Sequence, residues 1–263
     1  MEILRPGLDL DRFWQEVAAS PRPLLMLDYD GTLAPFQEER MEARPYPWVP
    51  PLLKEIMAGR SRVVVISGRV VEEVEALLGL GGGLEIWGAH GLERREAGGR
   101  FHPHREEPVL SRALARAVEW GRCLGLDGRL ERKPGAVALH LRGMEAEEAA
   151  RLQEEALALF RSLARLDPRL RTSPFDGGVE LREGGLDKGT AVATILRESP
   201  GNAAAFLGDD LTDEDGFRVL EGRGLGILVR REPRETGAAL RLEPPHELRW
   251  FLERWREAAG EVA

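Results

Sequence analysis

Two aspartates follow a short apolar stretch near the start of the chain. Residues 24–33 have the sequence LLMLDYDGTL, so Asp28 and Asp30 are separated by one residue and directly follow four apolar residues. Buried carboxylates are costly unless they are paired or bind a metal, so their position needs an explanation. A carboxylate can act as a nucleophile, and a second acid close by can give and take a proton. The pair therefore has the residue types that covalent phosphoryl transfer requires.

Other apolar stretches along the chain also end in polar or charged residues. We predict buried strands at residues 24–27, 63–66, 84–87, 204–207 and 225–229. Because these stretches are continuously apolar rather than alternating, they indicate a parallel sheet that is covered on both faces. Helical patterns between them, for example at residues 10–18 and 70–78, complete the β-α-β alternation of a doubly wound, Rossmann-like α/β fold.

The polar residues at the strand ends should meet in one crevice, since ligands of open α/β sheets bind beyond the carboxyl ends of the strands. The residues expected there are Asp28, Asp30, Thr32, Ser67, Gly68, Arg69, His90, Asp209, Asp210 and Asp213, with Lys188 at the start of the helix before the fourth strand. Four or five carboxylates at such close range would repel one another. Either a bound divalent cation or a proton held on one acid would relieve that repulsion.

An all-oxygen set of ligands is typical of Mg²⁺, which binds through a few carboxylates together with a substrate phosphate. The crevice also has groups suited to a phosphate, namely the hydroxyls of Ser67 and Thr32 and the point charge of Lys188 at a helix N-terminus. Asp28 would attack phosphorus and form an aspartyl-phosphate. Asp30 would protonate the leaving alcohol and then deprotonate the attacking water.

A second type of pattern occupies residues 103–183. A helical segment at 109–124 precedes two short strands, RLER and AVALHLR, and an amphipathic helix then precedes another strand pair, RLRTS and GVELR. The order α-β-β-α-β-β with hairpins indicates an α+β module inserted into the parallel-sheet domain. We therefore predict a catalytic core at residues 1–102 and 184–263 and a cap at residues 103–183.

The motifs DYDGT, VISGR, the Lys188 segment and GDDLTDED occur in this order along the chain. They resemble the four motifs of the haloacid-dehalogenase-like phosphatases. The stretches GAHGLERR, LERKPGAVALHLR, GVELREGGLDKG and FLGDDLTDE further resemble trehalose-6-phosphate phosphatases, Mg²⁺-dependent enzymes with an α+β cap of this layout. The resemblance extends over nearly the whole chain and implies hydrolysis of trehalose 6-phosphate to trehalose and phosphate.

The resemblance also implies roles for single residues. Asp28 matches the nucleophile and Asp30 the general acid/base, and Ser67 and Lys188 match the residues that hold the phosphate. The implied metal ligands are Asp28, the backbone carbonyl of Asp30, and Asp209, with Asp210 or Asp213 in support.

For substrate recognition, Glu131, Lys133 and Glu180 match the cap positions that bind the disaccharide, while His90 and Arg69 should line the core side of the cleft. The chain departs from the family at residues 140–142, where HLR replaces a stretch that often contains tyrosine. That difference concerns the identity of the sugar rather than the reaction.

Three other functions compete with this one. Related capped phosphatases act on mannosyl- or glucosyl-3-phosphoglycerate or on sucrose 6-phosphate. A phosphomutase would pass the phosphoryl group to another sugar hydroxyl. A non-catalytic binding module would have a damaged motif, whereas Asp28, Asp30, Ser67, Lys188 and Asp209 are all present.

The overall composition bears on partners and location. The chain has 263 residues, a formal net charge of −8 and a pI near 5.4, which argue against a nucleic-acid-binding protein. Its single cysteine, Cys123, excludes an internal disulfide and is expected in the core. Without an apolar stretch long enough to span a membrane, or a basic start typical of a signal peptide, we expect a cytoplasmic enzyme. We expect its partner to be a small sugar phosphate, with no nucleic acid, membrane or obligate protein partner.

Overall fold

The architecture comes from a computed structural model, which describes residues 1–37, 39–104, 108–175, 177–185 and 187–260. The helices are α1 Leu10–Ala19, α2 Val49–Ala58, α3 Val71–Leu78, α4 Pro108–Cys123, α5 Ala146–Leu166, α6 Lys188–Glu198, α7 Glu214–Leu220 and α8 His246–Gly260. The strands are β1 Glu2–Ile3, β2 Leu24–Leu27, β3 Arg62–Ile66, β4 Glu85–Gly88, β5 Glu93–Arg95, β6 Phe101–His102, β7 Leu130–Lys133, β8 Ala136–His140, β9 Leu170–Phe175, β10 Gly178–Glu183, β11 Ala204–Gly208, β12 Leu225–Val229 and β13 Leu240–Leu242.

Within the described residues, nine strands form the larger sheet in the order β1-β13-β12-β11-β2-β3-β4-β5-β6. The strands from β13 to β4 in this order pair in parallel. At the edges of the sheet, β1 pairs with β13, β4 with β5, and β5 with β6, and all three pairs are antiparallel. Strand β2 lies between β3 and β11. The predicted doubly wound α/β fold class is confirmed, and the two aspartate-bearing strands, β2 and β11, are immediate neighbours.

Strand β2 is buried on both faces, as its unbroken apolar sequence predicts. Leu25 and Leu27 pack into the hydrophobic cluster formed with helices α1, α2, α3 and α8, and Leu24 and Met26 pack into the cluster formed with α6 and α7. Alternate side chains of a strand point to opposite faces, so each layer of helices fixes half of the strand. The end of β2 is therefore a rigid support for the residues that follow it.

A second, four-stranded antiparallel sheet has the order β7-β8-β10-β9 and is covered by α4 and α5. Its hydrophobic clusters contain residues of these elements and are separate from those of the larger sheet. The predicted element order α-β-β-α-β-β is the observed order between α4 and β10. The domain limits at residues 102–103 and 183–184 stay a prediction; we call residues 103–183 the cap and the rest of the chain the core.

Two expectations about individual side chains are wrong. Cys123 is exposed, because it lies at the last position of α4 rather than on that helix's buried face. The sequence FLERWREAAGEVA at residues 251–263 predicts an amphipathic helix that packs on the protein with Trp250 and Trp255 in the core, but of these two only Trp255 is buried, while Trp250 is 44% exposed. Five positions along a helix correspond to about one and a half turns, so the two side chains lie on different faces of α8. The last three residues of the expected helix, 261–263, lie outside the described residues.

Of the helices that the structure describes, none combines the length and the apolar character needed to cross a membrane.

The separate cores of the cap and of the larger sheet predict a local effect of a cap mutation. Phe160 is fully buried in the cap cluster, and Phe160→Ala should lower the free energy of unfolding of the cap by about 3–5 kcal/mol. Hydrogen exchange read by mass spectrometry should show faster exchange in β8 and β10 and unchanged exchange in β2 and β11.

The matched control is Glu154→Ala at an exposed position of the same helix, which should change stability by less than about 0.5 kcal/mol. Equal loss of protection in the two sheets of the Phe160 variant would contradict the division into core and cap.

Candidate active site

A cleft of about 680 Å³ lies between the carboxyl end of the larger sheet and the cap. That volume is in the range of small-molecule sites. The core contributes residues that follow β2, β3, β4 and β11, as expected for an open α/β sheet. The cap contributes residues of β7, β8, β9 and β10. Predicted site residues that line the cleft are Asp28, Asp30, Arg69, His90, Glu131, Lys133, Glu180, Lys188, Asp209 and Asp210.

Three aspartates meet at the core side of this cleft. Carboxylate oxygens of Asp28, Asp209 and Asp213 lie within 4.8 Å of one another, and all three residues are buried. Burial raises the pKa of Asp28 to about 7, against the opposing effect of Lys188 and with a further upward effect of Asp213. Burial also raises the pKa of Asp209 well above its usual value, and the charge of Asp28 adds to that shift.

The ammonium group of Lys188 is the counter-charge within this cluster. Its Nζ donates to Asp28 Oδ1 at 2.6 Å and to Asp213 Oδ1 at 2.7 Å. Burial by itself would lower the pKa of Lys188, but the charges of Asp213 and Asp28 outweigh it and raise the pKa above the usual value. Lys188 is therefore a permanent cation that fixes the orientation of Asp28.

Local sequence explains where Lys188 lies. It is the first residue of α6, and the preceding Asp187 caps that helix by accepting a hydrogen bond from the Thr190 amide at 2.7 Å. The next residue, Gly189, lies against Asp215 so closely that a Cβ would be only 2.9 Å from its Cβ and its carbonyl oxygen. A glycine at this position therefore lets the start of α6 pack closely against α7.

The cluster fits a divalent cation. With all three carboxylates ionised, Lys188 would compensate only one of three negative charges, and the raised pKa values of Asp28 and Asp209 agree with that excess. Among the described residues, Asp209 Oδ1 is buried and accepts no hydrogen bond. A buried carboxylate oxygen without a donor is costly, and an oxygen-only donor set is typical of Mg²⁺. Asp28 and Asp209 are therefore suited to hold the ion.

Asp213 and Asp210 have different positions. Asp213 Oδ2 accepts from the backbone amides of Asp209 and Asp210, at 3.1 and 3.0 Å, while its Oδ1 contacts Lys188. Asp213 thus orients both the loop and the lysine. Asp210 caps the 3₁₀ helix at Leu211–Asp213 by accepting from the Leu211 amide at 2.7 Å. Of the two predicted supporting ligands, the structure groups only Asp213 with Asp28 and Asp209.

Asp30 lies just beyond β2 and makes a bidentate ion pair with Arg69, with both N–O distances at 2.7 Å. Directly after Asp30 the chain turns at Gly31, which has a φ of +81°. A side chain at Gly31 would collide with the carboxylate of Asp209. This glycine therefore lets Asp30 point away from the three-acid cluster while the backbone stays beside it.

Ser67 and Thr32, two predicted phosphate-binding residues, are buried and, as far as the structure describes the chain, contribute no surface to the cleft. Ser67 Oγ accepts from the Arg69 amide at 3.1 Å. Thr32 Oγ1 is buried and makes no hydrogen bond to any described residue. Their roles toward phosphate stay a prediction.

The predicted cap residues lie together. Lys133 Nζ is 3.2 Å from Glu180 Oε1 and 3.4 Å from Glu131 Oε2, and His90 of the core reaches Glu180 Oε2 at 3.3 Å. Burial would raise the pKa of Glu180, but the charge of Lys133 and the contact with His90 outweigh it and lower the pKa. Burial also lowers the pKa of His90, so this imidazole is a largely neutral donor to Glu180.

Several cleft residues were not predicted from the sequence. Arg40, on the 3₁₀ helix Arg40–Glu42, pairs with Glu131 of the cap and with Glu73 of α3, the second at 2.6 Å. Phe36 lies under Arg142, whose guanidinium carbon is 4.3 Å from the ring centre. Neither Arg40 nor Phe36 belongs to a motif, so only tertiary structure reveals these contacts between core and cap.

The chain is similar in sequence to known proteins. The family model described as Trehalose-phosphatase matches residues 26–244. A trehalose-phosphate phosphatase of Mycobacterium marinum is 31% identical, and the match covers 89% of this chain and 61% of that protein. Trehalose-phosphate phosphatase B of Arabidopsis thaliana is 28% identical, and the match covers 93% of this chain and 70% of that protein.

Solved structures are also similar. The trehalose-6-phosphate phosphatase C-terminal domain of C. albicans superposes over all of both chains with a TM-score of 0.79 at 21% identity, which shows the fold. A trehalose-6-phosphate phosphatase related protein has a TM-score of 0.71 at 26% identity and covers 89% of this chain and 97% of its own. A haloacid dehalogenase-like hydrolase from B. subtilis shares the fold with a TM-score of 0.59 over 83% of this chain and 93% of its own, at 15% identity.

The family, fold and enzyme class expected from the sequence are thereby confirmed. The chain belongs to the trehalose-phosphatase family and is a phosphoric monoester hydrolase of the haloacid-dehalogenase-like fold.

Proposed function

We propose that this protein hydrolyses trehalose 6-phosphate to trehalose and inorganic phosphate in the cleft between core and cap, with Mg²⁺ as its cofactor. The observation that carries the proposal is the contact of Lys188 with Asp28 inside a buried cluster of three aspartates. That contact holds a carboxylate with a fixed orientation at the core side of a cleft whose other side has charged groups suited to a sugar. The relatives named for trehalose-phosphate hydrolysis support the same substrate.

In the first step Asp28 attacks phosphorus. A bond forms between a carboxylate oxygen of Asp28 and phosphorus as the bond from phosphorus to the sugar oxygen breaks. Asp30 gives its proton to the departing sugar oxygen, so that a neutral hydroxyl leaves. Lys188 holds Asp28 in line during this step and lies close to the charge that develops on the phosphoryl oxygens.

In the second step Asp30 takes a proton from water, and the water oxygen attacks phosphorus. The bond to Asp28 breaks and releases inorganic phosphate with the carboxylate restored. Arg69 binds the carboxylate form of Asp30, which is the form that accepts the proton. Asp28, the backbone carbonyl of Asp30 and Asp209 would hold Mg²⁺, with Asp213 in support. When bound, the ion compensates the excess negative charge of the cluster and of the phosphate.

Glu131, Lys133 and Glu180 would bind the sugar hydroxyls, since carboxylates accept and an ammonium donates hydrogen bonds. Their mutual contacts place donors and acceptors in fixed positions on the cap side of the cleft. Ser67 and Thr32 remain proposed phosphate contacts. A cytoplasmic location and the absence of nucleic acid, membrane and obligate protein partners stay predictions of the sequence.

A panel of phosphate esters tests the substrate. Purified protein with Mg²⁺ should release phosphate from trehalose 6-phosphate with a kcat/KM at least about tenfold above that for sucrose 6-phosphate or glucosyl-3-phosphoglycerate. Release from a phosphoglycerate ester without release from trehalose 6-phosphate would overturn the substrate assignment. Transfer of the phosphoryl group to another sugar hydroxyl, without free phosphate, would indicate a phosphomutase.

Replacement of the nucleophile gives the second test. Asp28→Asn should lower kcat for trehalose 6-phosphate by roughly a thousandfold or more, because an amide cannot form the aspartyl-phosphate. Phosphate release is the measurement, and circular dichroism checks that the fold is retained. Asp11→Asn, at an exposed position of α1, is the matched control and should keep full activity. Residual activity of the Asp28 variant within about tenfold of wild type would remove Asp28 from the role of nucleophile.

Metal removal gives the third test. Dialysis against EDTA should abolish phosphate release, and added Mg²⁺ should restore it, since Lys188 compensates only one of the three carboxylates. Isothermal titration with Mg²⁺ should show one strong site, which Asp209→Asn weakens. Full turnover after exhaustive chelation would contradict a metal-dependent site.

A fourth test concerns the cap. Lys133→Ala leaves the buried carboxylate of Glu180 without its main counter-charge and removes a donor to the sugar. We expect kcat/KM for trehalose 6-phosphate to fall by about 100-fold and that for a small aryl phosphate by less than about threefold. Lys54→Ala, an exposed lysine of α2, serves as the control. Equal losses on the two substrates would exclude Lys133 from sugar recognition.

A further inference from the structure

The core segment that follows β2 reaches the cap through Arg40. Its guanidinium makes two ion pairs through two different nitrogens: Nη1 pairs with Glu131 on β7 of the cap, and Nη2 pairs with Glu73 on α3 of the core at 2.6 Å. A guanidinium is planar and presents its donors in a fixed fork, so both carboxylates are held in a defined relation. Arg40 thus joins a helix of the core to a strand of the cap across the cleft.

The core side of this bridge is anchored. Glu73 also lies 3.9 Å from Arg69, the residue that binds Asp30. The side chains of Arg40 and Glu73 are 27% and 29% exposed, so their pairing is partly shielded from water and worth more than a fully exposed ion pair. Glu73 therefore keeps Arg40 extended toward the cap rather than into solvent.

The cap side of the bridge is Glu131. Its Oε1 pairs with Arg40, and its Oε2 lies 2.7 Å from His140 Nε2 and 3.4 Å from Lys133 Nζ. Of these three partners, Arg40 alone belongs to the core. An ionised carboxylate can accept about four hydrogen bonds, so Glu131 keeps acceptor capacity for a sugar hydroxyl while both of its oxygens are held.

We propose that Arg40 is a positioning residue for substrate recognition: it fixes the Glu131 carboxylate of the cap relative to the core, and thereby sets where the sugar lies with respect to Asp28. This inference rests on the proposed function for the nature of the substrate, a sugar phosphate whose sugar contacts Glu131. Without Arg40, His140 and Lys133 would still hold Glu131 within the cap. The position of Glu131 relative to the core would then be less well fixed. A large substrate that contacts both cap and core would bind less well, whereas a small one that contacts only the core would not be affected.

A second contact also joins this core segment to the cap. Arg142 of the cap lies over the ring of Phe36, which belongs to the same core segment as Arg40. A cation over an aromatic face contributes about 0.5–1 kcal/mol at a partly exposed site, which is too weak to fix the cap alone. The cap is therefore joined to this core segment at two points, the ion pair of Arg40 with Glu131 and the contact of Arg142 with Phe36.

The test compares a sugar phosphate with a small aryl phosphate. For Arg40→Gln we expect kcat/KM for trehalose 6-phosphate to fall by about 10- to 100-fold, mainly through a higher KM, because binding rather than bond breaking is affected. Turnover of p-nitrophenyl phosphate should stay within about twofold of wild type. Arg40→Lys keeps the charge but not the fork, and should lose roughly three- to tenfold on the sugar phosphate.

A double-mutant cycle distinguishes positioning from a general structural effect. If Arg40 acts through Glu131, then Arg40→Gln should change kcat/KM by less than about twofold in a Glu131→Gln background. Arg44→Gln, an exposed arginine a few residues further along, is the matched control and should behave as wild type. Thermal unfolding of each variant shows whether the fold is intact.

Three outcomes would overturn the inference: equal losses on both substrates, wild-type kinetics of Arg40→Gln on the sugar phosphate, or additive effects in the cycle. The proposed function can fail separately. If trehalose 6-phosphate is not hydrolysed, the same variants are measured with whichever sugar phosphate the panel identifies, and the expected selectivity for the larger substrate is unchanged. If trehalose 6-phosphate is hydrolysed but Arg40→Gln has no effect, only the role of Arg40 is refuted.

Discussion

The contact of Lys188 with two buried aspartates is the interaction on which the rest of the site depends. Asp28, Asp209 and Asp213 approach within 4.8 Å, and burial makes their mutual repulsion strong. The ammonium of Lys188 lies within 2.7 Å of two of them and makes this arrangement possible. It leaves an excess of negative charge that suits a divalent cation. The orientation of Asp28 and the fit of the cluster to a divalent cation thus come from a single charge balance, rather than from independent features.

That charge balance constrains the fold. Asp28 follows β2 and Asp209 follows its neighbour β11, so the parallel pairing of these strands brings the carboxylates together without any long loop. Lys188 must arrive at the same edge on the first turn of a helix, which Asp187 caps and Gly189 allows to pack closely. Burial of β2 on both faces keeps its end in place against the repulsion of its own acids. The position of the charged residues in the site therefore depends on the packing of the apolar strand that precedes them.

How much of this could be predicted from the sequence depends on the range of each interaction. Asp28 and Asp209 at strand ends, and Lys188 at the start of a helix, were predictable, because the topology of a parallel sheet brings these ends to one edge. The roles of Asp210 and Asp213 could not be separated, since the two differ only in how the 3₁₀ helix orients their side chains. Arg40 was missed entirely: it lies on a short 3₁₀ helix outside the motifs, and its partners Glu73 and Glu131 are 33 and 91 positions away along the chain. Trp250 was wrongly assigned to the core because an amphipathic pattern near a chain end does not define which aromatic residue faces inward.

In both the cap and the core, a lysine lies between two carboxylates, but the net charge around it differs. Lys133 lies between Glu131 and Glu180, as Lys188 lies between Asp28 and Asp213. In the core the excess negative charge suits a metal and, through it, a phosphate. In the cap, Lys133 and Arg40 carry two positive charges beside the two carboxylates, and the largely neutral His90 of the core is a further partner of Glu180, so the charges are nearly balanced. A balanced set of donors and acceptors favours a neutral ligand with many hydroxyls over a second anion. On the proposed function, the two halves of the cleft would divide the substrate between them: the core would bind the phosphate, and discrimination among sugars would depend on the cap and on the core residues that hold it.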